Sequence, residues 1–360
     1  MHAASLQPVF DLLRTGIDEH LHLGAQLYVS RDGQTLIDAP VGEASAGVPM
    51  TPDTLMLWMS AGKPATAVAV MQLVQRGLIS LDTRVADVIP EFGVNGKSAI
   101  TVRHCLTHTA GFRGPLNNFT PGTWEAILSR VYALKQEPGW IPGEKAGYHI
   151  GSSWFILGEL VRRLDGRSID RYIPKAIFAP LGVEGYVGFN DDELASLRPR
   201  LSTMYETHKQ PMTDDWPGNT ASAITTPRPG ANARGPIRSL AKVYESLLFD
   251  ERLLSRELAQ QLQGAQRVGM LDHTFKQTLD WGLGVMIDSK RYAGEHQYGY
   301  GPFASPRTFG HSGNQSSCAF ADPQHGLVVA WCTNGMPGEV AHQARQRAVN
   351  ALIYESLGLV

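Results

Sequence analysis

The chain has 360 residues, of which 43% are hydrophobic and 18% charged, with a net charge of −2. That is enough apolar material for one large core or two intertwined lobes. A near-neutral balance with no block of like charges argues against a protein built to hold nucleic acid or an anionic membrane.

The first residues, up to Gly24, read as an amphipathic helix with Val9, Leu12, Leu13 and Ile17 on one side. They lack a basic head followed by an apolar stretch, so no signal peptide is expected. From Gly24, two alternating runs around Arg31-Asp32-Gly33 predict a β-hairpin. Leu55 to Gly77 is apolar on nearly every side beyond Pro64, which predicts a central, covered helix. Leu78 to Phe92 is turn-rich, and Ile100 to Phe112 starts as a helix and ends in a glycine loop. Helical patterns then dominate from Trp124 to about Asp250, interrupted by a Pro- and Gly-rich loop from Asp214 to Pro236. Strand patterns return at 281–288, 307–313, 316–322 and 326–334, and a helix from His342 closes the chain. No apolar run is long enough to span a bilayer.

The order predicts an α/β fold: a mixed sheet flanked by helices, plus an inserted all-helical lobe. Residues 1–80 and 275–360 are assigned to the sheet lobe and 81–274 to the helical lobe, with a cleft between them. The cysteines are Cys105, Cys318 and Cys332. Pairing the last two strands about the turn from Asp322 to Gly326 sets Cys318 near Ala330, away from Cys332. All three are therefore expected as reduced thiols in a cytoplasmic protein.

Within the apolar stretch, Ser60 and Lys63 are the unexpected residues. Pro64 is tolerated only in a first helical turn, so the helix must begin close to Ser60. There the free N–H groups favour a developing oxyanion. Lys63 lies one turn on, where apolar surroundings lower its pKa and make it a base. A serine with such a lysine is the arrangement of Ser–Lys acyl-transfer enzymes. The alternative is a capping serine with a lysine that reaches for solvent. A second Ser-x-x-Lys, Ser239 to Lys242, opens an amphipathic helix, and there Ser239 reads as the cap.

The tract TPDTLMLWMSAGKPATA, followed by LVQRGLISLDTRVADVIPEF and ITVRHCLTHTAGF, resembles the penicillin-recognising serine hydrolases. That superfamily holds class C β-lactamases, D-alanyl-D-alanine carboxypeptidases and family VIII carboxylesterases. The resemblance runs from about Gly24 to the final helix and implies a β-lactamase/DD-peptidase-like fold with a mainly antiparallel sheet. It implies that Ser60 is the nucleophile and leaves open whether Lys63 or Tyr148 is the formal base. Tyr148, after Pro142-Gly143, matches the family tyrosine and would share the proton with Lys63 as a coupled pair. Ile150 stands where the family carries an asparagine that binds a substrate amide. An amide facing isoleucine loses about 1–3 kcal/mol, which favours an ester with an apolar acyl group.

The family's third motif falls on His311-Ser312-Gly313. Gly313 would let substrate approach the strand, and the amides of Asn314 and Ser60 would form the oxyanion hole. His311 is expected to supply a donor titrating near pH 6.5. Ser312 is not the nucleophile, because Asn314 breaks the Gly-x-Ser-x-Gly pattern. The expected partner is a small-molecule ester or amide; the sequence does not fix the oligomeric state.

Other constellations are weaker. His104, Cys105 and His108 lack a carboxylate to complete a zinc set, and His20 and His22 read as a solvated helix face. No phosphate loop follows a strand, so no cofactor is expected. Tyr298, Tyr300 and Phe303 read as loop packing, with a pocket mouth as the other reading. The functional expectation is an esterase working through an acyl-enzyme. An acyltransferase or amide synthase, a weak β-lactamase or D-amino-acid peptidase, and an inactive binding module are the alternatives.

Overall fold

The computed structural model describes residues 6–114, 119, 121–209, 211–292 and 299–360. A sheet of nine strands forms its spine. In chain order these are β1 (Gly24–Arg31), β2 (Gln34–Ser45), β3 (Val48–Pro49), β4 (Arg267–Asp272), β5 (Gln277–Trp281), β6 (Met286–Ile287), β7 (Phe309–Gly313), β8 (Ser317–Asp322) and β9 (Leu327–Thr333). Their spatial order is β3-β2-β1-β9-β8-β7-β6-β5-β4, and neighbours run antiparallel. The first hairpin turns at Asp32 and Gly33, whose φ angles are 51° and 76°. Two positive φ values in a two-residue loop match the right-handed twist of the flanking strands.

Alternation along the central strands feeds two cores. Leu27 and Val29 of β1 face one way and pack with Val9, Leu13, Val349 and Ile353 from α1 (Gln7–Asp18) and α5 (Glu339–Ser356). Tyr28 faces the other way, into a larger core with α2 (Lys63–Gln75), α3 (Ser152–Asp165) and α4 (Ile237–Phe249). This is the expected α/β architecture: a mainly antiparallel sheet flanked by helices.

The sheet layer reaches further into the chain than residue 275. β4 lies within the stretch assigned to the helical lobe. Its Val268 and Leu271 are 55% and 50% exposed, so no clean apolar alternation announces it. Helix α4 also belongs to this layer, because β1 offers it polar partners. Gln26 Oε1 accepts the Ile237 N–H at 2.8 Å, and Tyr28 and Ser30 donate to Glu245 at 2.6 Å each.

The last hairpin differs from expectation by one residue: Cys318 pairs with Trp331, and Asp322 with Leu327. Gly326, at φ 58°, belongs to the turn and not to the strand. Cys318 and Cys332 then sit in opposite cores, and all three cysteines are buried and free. His22 is not a solvated residue. It is 1% exposed, and its Nδ1 faces Arg345 Nη1 at 3.1 Å. Among the described residues no helix is long and apolar enough to cross a membrane.

Candidate active site

A 3₁₀ turn, Met59–Gly62, carries Ser60 into α2, which begins at Lys63 with Pro64 in its first turn. Met59 has φ 51°, a conformation costly for a residue with a Cβ. Close packing on both sides holds it. A Cβ at Gly313 would lie 2.4 Å from the Trp58 carbonyl oxygen and 2.9 Å from Met59 Cβ, so the end of β7 rests on the turn. Ser317 Oγ donates to that same carbonyl at 2.7 Å. On the opposite side a Cβ at Gly62 would fall 2.4 Å from Ala233 Cβ. The hydroxyl is thus aimed by backbone contacts, and Ser60 does not cap the helix.

Lys63 is fully buried. Its Nζ lies 3.0 Å from Ser60 Oγ and 3.1 Å from the Ile150 carbonyl oxygen, and it also donates to the Gly230 carbonyl. The rings of Tyr148 and Trp154 flank it, each centroid 5.2 Å away. None of these partners is a carboxylate, and burial holds the lysine pKa well below its ordinary value. Carbonyl oxygens only accept, so two N–H bonds are committed to Ile150 and Gly230. The third tetrahedral direction faces Ser60, and in the neutral amine it holds the lone pair.

Tyr148 is 6% exposed and lines the same cleft. Its ring packs on His108 at 4.6 Å and on Phe275 at 4.7 Å between centroids. His108, one of the three residues weighed for zinc, is therefore a packing partner of the tyrosine. His104 closes a capping box with Thr101. Among the described residues no cluster of three or more His, Cys, Asp or Glu is suited to a metal.

β7 brings His311, Ser312 and Gly313 to the cleft, and Asn314 follows at its rim. His311 departs from expectation. Its Nδ1 donates to the Ser312 carbonyl at 2.7 Å, which leaves Nε2 as a bare acceptor. Burial, and then Lys63 when it carries its proton, push its pKa down to about 3. It is a neutral ring at ordinary pH, not a donor titrating near 6.5. Ser312 Oγ donates to Gln346 Oε1 at 3.1 Å, away from any base. The turn after β7 is braced from α5: Arg345 Nη2 donates to the Gln315 carbonyl at 2.8 Å. That bond holds the backbone next to the Asn314 amide.

The cleft encloses about 470 Å³. Met59, Phe119, Ile150, Trp216, Pro217 and Phe275 make an apolar wall; Gln343, Gln346, Glu339 and Arg347 from α5 face it. Phe119 and Trp216 meet edge to face at 4.6 Å. Ile150 serves twice: its carbonyl holds Lys63, and its side chain, 42% exposed, faces the substrate space. Tyr300 and Phe303 do not line the cleft; they pack in the core, Tyr300 donating to the Met286 carbonyl at 3.2 Å, and Tyr298 lies outside the described residues.

Sequence reasoning missed Gly230, Phe119, Trp216 and Arg345. Gly230 lies in a stretch read as loop. Its one signal is the Pro229-Gly230 pair: a Cβ there would meet the Trp154 ring at 2.8 Å.

Comparison with known proteins gives the family and the fold. The beta-lactamase family matches residues 9–352. Penicillin-binding protein 4 of Amycolatopsis lactamdurans is 31% identical over 340 residues, covering 92% of this chain and 85% of that protein. Esterase EstB of Burkholderia gladioli is 27% identical over 93% of this chain and 92% of its own. The crystal structure of a family VIII carboxylesterase superposes with a TM-score of 0.80 at 25% identity, over 99% of this chain and 98% of that one. A buried Ser–Lys pair under a strand edge, in a fold and sequence shared across the whole length, leaves one conclusion: the chain belongs to the beta-lactamase family of serine hydrolases.

Proposed function

We propose that the protein cleaves a carboxylic ester with an apolar acyl group, through an acyl-enzyme on Ser60. The observation that carries this reading is the Lys63–Ser60 contact of 3.0 Å around an amine with no carboxylate partner among the described residues. Neutral Lys63 takes the hydroxyl proton as Ser60 Oγ bonds to the ester carbon. The carbonyl oxygen gains charge, and the backbone amides of Ser60 and Asn314 receive it. Collapse expels the alkoxide, which regains a proton from the Lys63–Tyr148 pair. Water then repeats the sequence on the acyl-enzyme and releases the acid.

Ile150 supports an ester over a β-lactam or peptide. Its exposed side chain offers no hydrogen bond where an acylamino group needs one. The apolar wall of Phe119 and Trp216 supports an apolar acyl chain.

The test compares p-nitrophenyl butyrate with a chromogenic cephalosporin, with fluorophosphonate labelling followed by mass spectrometry. Ester turnover without cephalosporin turnover, and an adduct on Ser60, are expected. Turnover that persists in Ser60→Ala overturns the reading. An amide formed in preference to free acid when an amine is supplied makes the protein an acyltransferase instead.

A further inference from the structure

Tyr148 reaches the cleft on an irregular stretch, so its backbone groups have no ladder of their own and must find partners elsewhere. They find them on the turn between β4 and β5, the hairpin at the far edge of the sheet. Ala146 bridges to Asp272, and the His273 N–H donates to the Ala146 carbonyl at 2.8 Å. The Tyr148 N–H donates to Asp272 Oδ1 at 3.0 Å, and Thr274 Oγ1 donates to the Tyr148 carbonyl at 3.0 Å. Both backbone groups of the tyrosine are thus held from the end of β4 and the turn that follows it.

The clamp is itself held. Asp272 is fully buried, and its Oδ1 also accepts the N–H groups of Thr274 and Phe275 at 2.9 and 3.1 Å. Its Oδ2 takes Arg267 Nη2 at 3.1 Å, and Arg267, 2% exposed, donates onward to the Thr107 carbonyl at 3.1 Å. Arg113 Nη1 donates to Thr274 Oγ1 at 2.9 Å, which leaves the threonine proton to Tyr148. A buried carboxylate removed from one of its partners is costly, so this turn has one low-energy arrangement.

We propose that Asp272 and Thr274 are positioning residues for the tyrosine. Ring packing sets the tilt of Tyr148; the clamp sets its height along the sheet edge, and therefore the distance of the phenol from Lys63 and Ser60. The inference rests on the acyl-enzyme reading above. A misplacement of about 1 Å at such a group costs roughly 10²-fold in rate.

The experiment is a double-mutant cycle on ester turnover by the full chain. Tyr148→Phe is expected to lower kcat by about 10²-fold or more. Thr274→Val is expected to lower kcat about tenfold with KM within about twofold, and Thr274→Ser to restore it. In the Tyr148→Phe background, Thr274→Val is expected to change kcat by less than about twofold, because the group it positions is gone. Equal loss in both backgrounds overturns the inference and leaves the acyl-enzyme reading standing. Full turnover in Tyr148→Phe, with Ser60→Ala inactive, removes the tyrosine from the chemistry and the inference with it. Asp272→Asn keeps an oxygen for the Tyr148 N–H but loses the charge facing Arg267. Where it folds, it is expected to show the same coupling to Tyr148; the threonine arms decide the question without it.

Discussion

Two Ser-x-x-Lys tracts in this chain obey the same spacing and end in opposite states. Lys63 meets only a hydroxyl, two carbonyls and aromatic faces, and burial drives its pKa well below the ordinary value. Lys242 lies 2.6 Å from Glu245 and over the Tyr28 ring at 5.5 Å. Burial works against its charge too, but its hydrogen bonds to Glu245 and Tyr28 outweigh that and raise its pKa. The serines differ as much. Ser60 projects into a cleft from a strained turn, whereas Ser239 is fully buried inside the first turn of α4 with no partner for its hydroxyl. Ser239 does not cap that helix as the sequence suggested, because the helix already begins at Ile237, whose N–H is taken by Gln26 from β1. Spacing brings a serine and a lysine together; burial without a nearby carboxylate is what lowers the pKa of one lysine and not of the other.

The largest expected break in the comparison is at the serines. Ser60→Ala should lower ester kcat by on the order of 10⁴–10⁶. Ser239→Ala should leave kcat within about twofold and raise stability by up to about 1 kcal/mol, since it deletes an unpartnered buried hydroxyl. A nucleophile at Ser239 would reverse the kinetic result.

At the lysines, Lys63→Met should cost about 10²–10⁴ in kcat. In the native enzyme kcat/KM should fall with acid as Lys63 takes up its proton, with a midpoint well below lysine's ordinary 10.5. A profile that stays flat in acid and falls only near pH 10 would contradict a neutral Lys63.

Glu245→Leu separates stability from chemistry. It removes the acceptor of Tyr28, Ser30 and Lys242, and should cost about 3 kcal/mol in denaturant titrations while the folded fraction keeps its kcat.

A smaller effect comes from the imidazoles. Burial lowers His22, His149 and His311 to about 3 from an ordinary 6.5. Between those limits the unfolded chain binds more protons, so stability is complete above pH 6.5 and falls as pH drops towards 3. Each histidine contributes a slope of about 1.4 kcal/mol per pH unit. His22→Asn should flatten the pH dependence of unfolding by that amount, and an unchanged slope would show that His22 titrates normally. The smallest effect is Lys242→Met, expected to cost about 1 kcal/mol or less with no change in the pH–rate profile.

The central strands, the first and last hairpins, α2 and the closeness of Ser60, Lys63 and Tyr148 were legible because each has a short-range cause: alternation, an Asp-Gly turn, an apolar run broken by Lys63-Pro64. β4 was not, since an edge strand with exposed Val268 and Leu271 lacks the pattern that burial writes. Nor were the carbonyls of Ile150 and Gly230 that hold Lys63, because any residue presents a carbonyl and only the fold decides where it points. His311 was read correctly as a residue of the cleft and wrongly as a titrating donor. Its neighbour Ser312 supplies the carbonyl that fixes the tautomer, and burial on the sheet edge does the rest. Phe119 and Trp216 come from loops whose composition carries no period.

The pairing of β1 with β9 has a consequence for how the protein comes into being. These strands lie roughly 300 residues apart in sequence, yet they are neighbours at the middle of the sheet. On the ribosome the helices of the inserted lobe emerge long before β9 does, and β1 must wait with one edge open. The turn that carries Ser60 waits as well, because Gly313 and Ser317 buttress it from strands made far later in synthesis. A nascent chain stalled before β7 holds every atom of Ser60 and Lys63 without the packing that orients them.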